Sequence, residues 1–179
     1  MKNRDEELAL DDAALLSRCD LHLYKASGPG GQHRNKVTSA VRLRHTDTGI
    51  TVTAAESRSQ HDNRRRALRR MRQKLACQLR RSFRAADALP EPMRACIFLP
   101  KGALRGSPGR VEVGRKDARF WSVAAILLDA LDAADGRVGQ AAAALGVTTG
   151  SLVRVLRSDR HLLSAAQQIR RGHDKGPLR

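Results

Sequence analysis

Aromatic residues are scarce in this chain of 179 residues, of which they make up only 3%. A hydrophobic core must therefore be built mostly from Leu, Val and Ala, and an apolar content of 41% is enough for one ordinary domain and a small second one. Runs of about 18 consecutive apolar residues, the length that a membrane helix needs, are also missing. The first residues lack the apolar segment of a signal peptide. We therefore expect a cytoplasmic protein without a membrane partner.

Cysteine and histidine occur in patterns that do not suit a metal site. The three cysteines, Cys19, Cys77 and Cys96, lack CxxC spacing, and their odd number favours free thiols in a reducing compartment over a disulfide framework. The six histidines are scattered along the chain. The GxxxxGK[ST] pattern of a phosphate-binding loop is also missing. We therefore expect no metal and no cofactor.

Acidic residues are few relative to basic ones. The chain has 34 Lys and Arg against 18 Asp and Glu, which gives a formal net charge of +16. Such an excess of positive charge favours a polyanionic partner, most simply nucleic acid.

Short alternating segments predict a small antiparallel sheet near the N-terminus. Residues 20–26 and 39–45 alternate apolar and polar side chains, which is the period of a strand. Residues 46–49 are predicted to form a hairpin turn in which Gly49 takes positive φ. The β-branched segment 50–54 is predicted to be the return strand. The loop between the first two strands would then project from the sheet.

A long basic helix is predicted to follow this sheet, from a Ser59–Asp62 capping box to about Phe83. Its apolar stripe has a spacing of three and four, and comprises Leu68, Met71, Leu75, Leu79 and Phe83. Between Arg58 and Arg84, eleven Lys or Arg face one acid, Asp62. Like charges at i and i+4 oppose helix formation, so we expect this basic face to bind a phosphate backbone. The predicted fold class is α+β, with a projecting loop and a packed basic helix.

The C-terminal half is predicted to be mostly helical. Residues 1–84 would form the first domain, 85–118 a Pro/Gly-rich linker, 119–171 a small all-α region and 172–179 a basic tail that is disordered when free. The one apolar segment of the linker, residues 95–99, is expected to dock as a short strand or hydrophobic plug. Gly136 is expected at C′ of the first of these helices. An alanine-rich helix, the turn at Gly146–Val147 and a second helix capped by Thr148 or Thr149 resemble a helix-turn-helix. A plain three-helix packing unit explains the same pattern equally well.

The most unusual segment is Ser27-Gly28-Pro29-Gly30-Gly31-Gln32-His33-Arg34-Asn35-Lys36. Glycine adopts backbone angles closed to other residues, while Pro29 fixes one φ angle and restricts Gly28. The sequence therefore predicts a loop whose backbone shape matters, with one amide side chain at its tip and basic residues behind it.

This loop and its context resemble the peptidyl-tRNA-hydrolysing domain of class-I peptide-chain release factors. The resemblance runs over about residues 20–82 and rests on the loop together with Asn35-Lys36-Val37, Ser39-Ala40-Val41, Thr48-Gly49-Ile50 and Arg58-Ser59-Gln60-His61 with Asn63. It implies hydrolysis of the ester between peptide and tRNA in the peptidyl-transferase centre, with the large-subunit rRNA and peptidyl-tRNA as partners.

The resemblance also assigns the site residues. It places Gly30, Gly31 and Gln32 in the catalytic tripeptide, where Gln32 would position a water molecule and its backbone N–H would donate to the developing oxyanion. We expect RNA contacts from residues of the loop and of the basic helix, namely Ser27, His33, Arg34, Asn35, Lys36, Arg58, Gln60, His61, Arg64, Arg65, Arg66, Arg69 and Arg70.

Pro29 and Asn35-Lys36-Val37 look most like the short codon-independent hydrolases that rescue stalled ribosomes. Residues 119–179 resemble no codon-reading module, and the C-terminal basic residues leave contact with the mRNA channel open. Two alternatives stay open at this point. One is a hydrolase that acts with a partner on split large subunits, and the other is a non-catalytic RNA- or DNA-binding protein that uses the helix-turn-helix-like region. We expect a monomer.

Overall fold

The computed structural model describes residues 4–25, 38–104 and 106–178. The chain divides into two compact units, Met1–Leu75 and Ala76–Arg179. The fold class is α+β, as predicted, with a small antiparallel sheet and several helices.

The first unit contains a three-stranded antiparallel sheet with the order β1-β2-β3. Two short helices, α1 (Arg4–Ala9) and α2 (Asp12–Leu16), precede the strands β1 (Cys19–Tyr24), β2 (Ala40–His45) and β3 (Thr51–Ala54). The long helix α3 (Gln60–Gln78) follows them.

The predicted alternation gives one buried face in β2 but not in β1, where Leu21 and Leu23 are exposed like His22 between them. The return strand β3 also alternates. Val41, Leu43 and Val52 are buried, while Arg42 and Arg44 are exposed. The hairpin between β2 and β3 turns at Gly49, whose φ of 69° lies in the left-handed region as predicted. One difference is that Ala40, which alternation assigns to the exposed side, is buried.

Helix α3 begins where its capping residue predicts and ends earlier than its apolar stripe predicts. The Ser59 hydroxyl accepts a hydrogen bond from the N–H of Asp62 at 3.2 Å. Leu68, Met71 and Leu75 are buried. The prediction that the helix continues to Phe83 is wrong: the helix ends at Gln78, and three residues later the N–H of Arg81 donates to a carboxylate oxygen of Asp129 at 3.1 Å.

The second unit is built around the central helix α5 (Phe120–Ala133), which is buried along most of its length. Before it lie α4 (Glu91–Arg94) and the antiparallel pair of β4 (Ile97–Phe98) and β5 (Arg110–Val111). After it come α6 (Val138–Ala144), α7 (Thr149–Arg157) and α8 (Arg160–Gly172).

The segment predicted as a linker contributes to the core of this unit. Met93, Cys96 and Val111 are buried in one hydrophobic cluster with the residues of α5, and Phe83 and Leu89 pack against it. The division of the chain into a hydrolase domain, a linker, a helical region and a tail stays a prediction.

The end of α5 differs from the prediction by one residue. Asp135 occupies C′ with a φ of 50°, and Gly136 is at C″ with a φ of 71°. The N–H of Gly136 donates to the carbonyl of Leu131 and the N–H of Asp135 to that of Asp132, which is the Schellman pattern.

The C-terminal residues up to Leu178 are ordered against the second unit. The Arg170 Nε donates to the carbonyl of Gly176 and the N–H of Lys175 to the carbonyl of Arg170, both at 2.8 Å. Leu178 packs against the hydrophobic cluster. The prediction of a tail that is disordered when free is therefore wrong for residues 172–178, because this leucine and the Arg170 hydrogen bonds hold them.

Candidate functional site

The predicted catalytic residues lie outside the described part of the chain. This is true of Gly30, Gly31 and Gln32, and also of the predicted RNA-contacting residues Ser27, His33, Arg34, Asn35 and Lys36. The structure describes the frame from which the segment 25–39 leaves and to which it returns. Tyr24 at the end of β1 pairs with Ala40 at the start of β2. The antiparallel pairing therefore holds the two ends of that segment next to each other.

A buried asparagine fixes the return point of this segment. The Asn63 side chain is fully buried on α3, and its amide nitrogen donates to the carbonyls of Ser39 and Ser57, both at 2.8 Å. Its amide oxygen accepts from the N–H of Ser57 at 2.9 Å. One side chain therefore connects the residue before β2, the turn before α3 and α3 itself.

Sequence reasoning did not assign a role to Asn63, although a signal was available. Asn63, Ala67, Met71 and Leu75 are spaced by four, so they share one face of α3, and all four are buried. A polar residue in line with such an apolar face requires partners inside the protein, since an unpaired buried amide is costly.

The turn that Asn63 holds also presents three of the predicted RNA-contacting residues. Arg58 and His61 are exposed, and Gln60 is half-buried as the first residue of α3. The Ser57 hydroxyl bridges the carboxylate of Asp62 and the N–H of Ser59, at 3.2 and 3.1 Å. These hydrogen bonds fix the backbone of the turn that carries Arg58 and His61.

The basic face of α3 consists of residues with different environments. Arg65, Arg66 and Arg69 are exposed and have no ion pair or hydrogen bond to any described residue. Arg64 is half-buried, and its Nε atom is buried without a hydrogen-bond partner within the described ranges. The three exposed guanidinium groups are therefore available to a polyanion.

Arg70, the last residue of the predicted set, is engaged within the protein. Its guanidinium donates to the carbonyl of Thr53 and pairs with the carboxylate of Glu56. Burial acts to raise the pKa of Glu56, but the hydrogen bond from Arg70, with backbone donors at Glu56 and Ala55, outweighs it and lowers that pKa. Arg70 thus connects α3 to β3 and the following turn.

Two arginines on the outer side of the sheet were not predicted as site residues. The Arg42 guanidinium carbon lies 5.4 Å from the centroid of the Tyr24 ring, a cation–π distance, at the end of the sheet where the segment 25–39 leaves. Arg44 lies 4.0 Å from the carboxylate of Asp20. The alternation of β2 indicated that both arginines are exposed, but not that Arg42 lies over the ring of Tyr24.

The cysteine thiols are poorly suited to nucleophilic chemistry. Burial, with a contribution from Glu7, raises the pKa of Cys19 to about 11, and burial likewise raises the pKa of Cys77 to about 11. A thiol with such a pKa is protonated near neutral pH and is a weak nucleophile.

Two further observations concern metals and membranes. In the parts of the chain that the structure describes, no group of three or more His, Cys, Asp or Glu side chains could hold a metal ion. No helix within the same residues has the length and apolar character needed to cross a bilayer.

Comparison with known proteins identifies one matching family model, the RF-1 domain, over residues 15–92. Peptide chain release factor 2 of Paramagnetospirillum magneticum is 47% identical over 76 residues, which are 42% of this chain and 20% of that protein. Peptide chain release factor 2 of Buchnera aphidicola is 51% identical over 59 residues, 33% of this chain and 16% of that protein. Peptide chain release factor 1 of Acidiphilium cryptum is 47% identical over 68 residues, 38% of this chain and 19% of that protein. The chain thus spans a fifth or less of the length of these relatives.

Proposed function

Since residues 15–92 are an RF-1 domain and belong to the class-I peptide-chain release factor family, we propose that this chain hydrolyses the ester bond of peptidyl-tRNA in the peptidyl-transferase centre of the ribosome. The observation that carries the proposal is the Gly30-Gly31-Gln32 tripeptide within residues 15–92, the segment that matches the RF-1 domain model.

In the proposed mechanism the loop supplies positioning and hydrogen bonds. A glutamine amide does not act as a base at neutral pH, so Gln32 orients the attacking water beside the ester carbonyl. Its backbone N–H donates to the oxyanion that develops as the water adds. Gly30 and Gly31 have no Cβ, which allows the backbone to lie against crowded RNA.

The described frame would deliver this loop. The pairing of Tyr24 with Ala40 and the hydrogen bond from Asn63 to Ser39 hold the ends of the segment, so less conformational entropy is lost when its tip is positioned. Arg65, Arg66 and Arg69 would bind rRNA phosphates, and Arg42 is a further candidate at the base of the loop.

We propose further that hydrolysis is independent of the codon and rescues stalled ribosomes, with the chain acting as a monomer in the cytoplasm. Support comes from Pro29 and Asn35-Lys36-Val37, which look most like the codon-independent rescue hydrolases. The sequence of residues 119–179, which resembles no codon-reading module, also supports it. The proposal includes a contact between the mRNA channel and the basic residues at the C-terminal end, Arg170, Arg171 and Lys175.

The test is release of labelled peptide from ribosomes stalled on an mRNA without a stop codon. Gly31→Ala is expected to lower the release rate by at least a hundredfold, because a Cβ at this position would clash with RNA and displace the water. Gly139→Ala is the matched control: Gly139 is exposed on α6 with no atom within 4 Å of an added Cβ, and its release rate is expected to equal that of the wild type.

Three outcomes separate the alternatives. Equal release by the wild type and Gly31→Ala would remove the loop from the mechanism and favour a non-catalytic RNA- or DNA-binding protein. Release that requires a stop codon in the ribosomal A site would contradict codon independence. Release only from isolated large subunits, or only with an added partner protein, would move the activity to the split-subunit alternative.

A further inference from the structure

We propose that the exposed face of α7 is a second polyanion-binding surface, and that its ligand is helical RNA contacted through the phosphate backbone. The surface consists of Gly150, Val153, Arg154, Arg157 and Ser158, which line a cavity of about 500 Å³ that is open to solvent. The choice of RNA over DNA rests on the proposed function, which places the chain on the ribosome.

Charge is the first argument for this surface. Residues 137–158, which cover α6, the turn and α7, contain three arginines and no acidic residue. The second unit as a whole has 18 Lys or Arg against nine Asp or Glu, a net charge of +9. A concave surface with one sign of charge attracts a polyanion and increases its local concentration.

The shape of α7 is the second argument. Thr149 and Gly150, at its start, are exposed and small, and an added Cβ at Gly150 would meet no atom within 4 Å. Arg154 and Arg157 lie three residues apart at its other end and are both exposed, so they share one side of the helix. A nucleic-acid backbone could thus approach the first turn closely while both guanidinium groups bind phosphates.

The third argument is that the surface is held rigidly before any ligand binds. The Ser151 hydroxyl accepts from the N–H of Val111 at 3.2 Å, and Arg154 Nη2 donates to the carbonyl of Val111 at 2.9 Å. The turn before α7 is tied to Gly109, whose N–H donates to Gly146 and whose carbonyl accepts from Thr148. A preformed surface loses little entropy on binding.

Arg157 remains available for a ligand. It is exposed and has no ion pair or hydrogen bond to any described residue. Side chains cannot read the deep, narrow major groove of helical RNA, so the arginines of α7 would contact its phosphates.

The experiment measures binding of the full-length protein to a fluorescent RNA duplex of about 16 base pairs, the length that a double-stranded RNA-binding domain spans. All variants carry Arg65→Ser, Arg66→Ser and Arg69→Ser, so that the remaining affinity does not come from α3. Onto this background are placed Gly150→Glu, Arg157→Ala and the control Gly139→Glu.

Gly139 makes a matched control for Gly150. Each is the second residue of its helix, each is exposed and neither has an atom within 4 Å of an added Cβ. Both glutamates therefore change the charge equally and occupy the same favourable position near a helix N-terminus.

We expect Gly150→Glu and Arg157→Ala to weaken binding about tenfold, the size of one lost charged contact, and Gly139→Glu to change it less than twofold. The salt dependence of binding should fall by about one unit of slope for Arg157→Ala. Equal losses from both glutamates, no loss from Arg157→Ala, or tighter binding to a DNA duplex of the same sequence would overturn the proposal. Because binding is measured without hydrolysis, this result is independent of whether Gly31→Ala abolishes peptide release.

Discussion

At the scale of single residues, Asn63 has more influence on the candidate site than its position on a basic helix suggests. It satisfies the Ser39 carbonyl and both backbone groups of Ser57 from a position without solvent exposure. These groups have no water to replace the amide if it is removed. The site therefore depends on a buried residue that is not expected to touch RNA.

We predict that Asn63→Leu destabilises the protein by about 2–3 kcal/mol, since it leaves buried backbone groups unpaired. Urea denaturation gives this value directly. Asn63→Asp keeps the shape but directs a carboxylate at the Ser39 and Ser57 carbonyls. Its stability should therefore be lower at pH 7 than at pH 5, where protonation restores one donor.

Stability that is unchanged in Asn63→Leu would contradict this interpretation. A role in positioning the loop requires a further result: under conditions in which both proteins are folded, the variant should have a lower kcat for peptide release with little change in KM. A purely structural residue would not lower kcat in the folded population.

Glu56 gives a prediction about pH. Its pKa is lowered in the folded protein, so the pair with Arg70 stabilises the native state above the ordinary pKa of about 4.5 and loses this effect as the pH falls through the folded value. Glu56→Gln should cost about 0.5 kcal/mol at pH 7, as is usual for exposed pairs, and less at pH 3, since the carboxylate loses its charge as the pH falls through the lowered pKa.

The control for this prediction is Glu6→Gln, which removes the same charge from an exposed residue that has no ion pair within the described ranges. Thermal melts of the two variants at both pH values make the comparison. An effect of Glu56→Gln that is equal at pH 7 and pH 3 would show that the ion pair does not contribute.

At the scale of elements, the way each helix ends decides how well its bounds could be predicted. The start of α3 was predictable because its cap, Ser59, is local in sequence. Its end was not, because the carboxylate that accepts from Arg81 belongs to Asp129, 48 residues away. Local patterns contain no information about such a partner.

The end of α5 gives a prediction at this scale. Gly136 has a φ of 71°, and an added Cβ would lie 3.1 Å from the Cα of Arg170. Gly146 has a φ of 64° but no atom within 4 Å of an added Cβ. Gly146→Ala should therefore cost about 1 kcal/mol for the left-handed conformation alone, and Gly136→Ala clearly more, since the backbone of α8 must also move.

The difference in stability between the two alanine variants, measured by urea denaturation, gives the cost of placing a methyl group against α8. The cost of the left-handed conformation is common to both and cancels. Equal losses of stability would mean that the contact between Gly136 and α8 tolerates a methyl group. In that case the C-terminal helix would be held mainly by its apolar residues, Leu162, Ala165 and Ala166.

At the scale of the whole molecule, the N-terminal sheet could be predicted from the sequence more completely than the C-terminal unit. Strands β2 and β3 were predictable because each has one buried face, which imposes a period of two on the side chains. Strand β1 shows the same alternation in sequence, although its Leu21 and Leu23 are exposed. The Pro/Gly-rich composition of residues 85–118 indicated irregular structure with one docked apolar segment, residues 95–99, which contains the buried Cys96. It gave no sign that Met93 and Val111 are also buried. That burial depends on α5, which follows in the chain.

The candidate site shows the same difference between features that local sequence reveals and features that depend on long-range contacts. The loop was recognisable from its glycines and glutamine, and the basic face from its arginines. The roles of Asn63 and Arg70 depend on contacts with Ser39, Thr53 and Glu56, which the chain brings together only when it folds. Residue type alone does not distinguish a side chain that contacts another part of the protein from one that faces a ligand.

The packing of Phe83 and Leu89 into the second unit has a consequence for how this protein could have evolved. The segment that matches the release factor family ends at residue 92, yet its residues 76–92 fold with the second unit. A recombination event that exchanged only the family segment would replace part of the other unit's hydrophobic cluster. Exchange of the family segment alone is therefore expected to destabilise the second unit, unless the incoming segment supplies apolar side chains at the positions of Phe83 and Leu89.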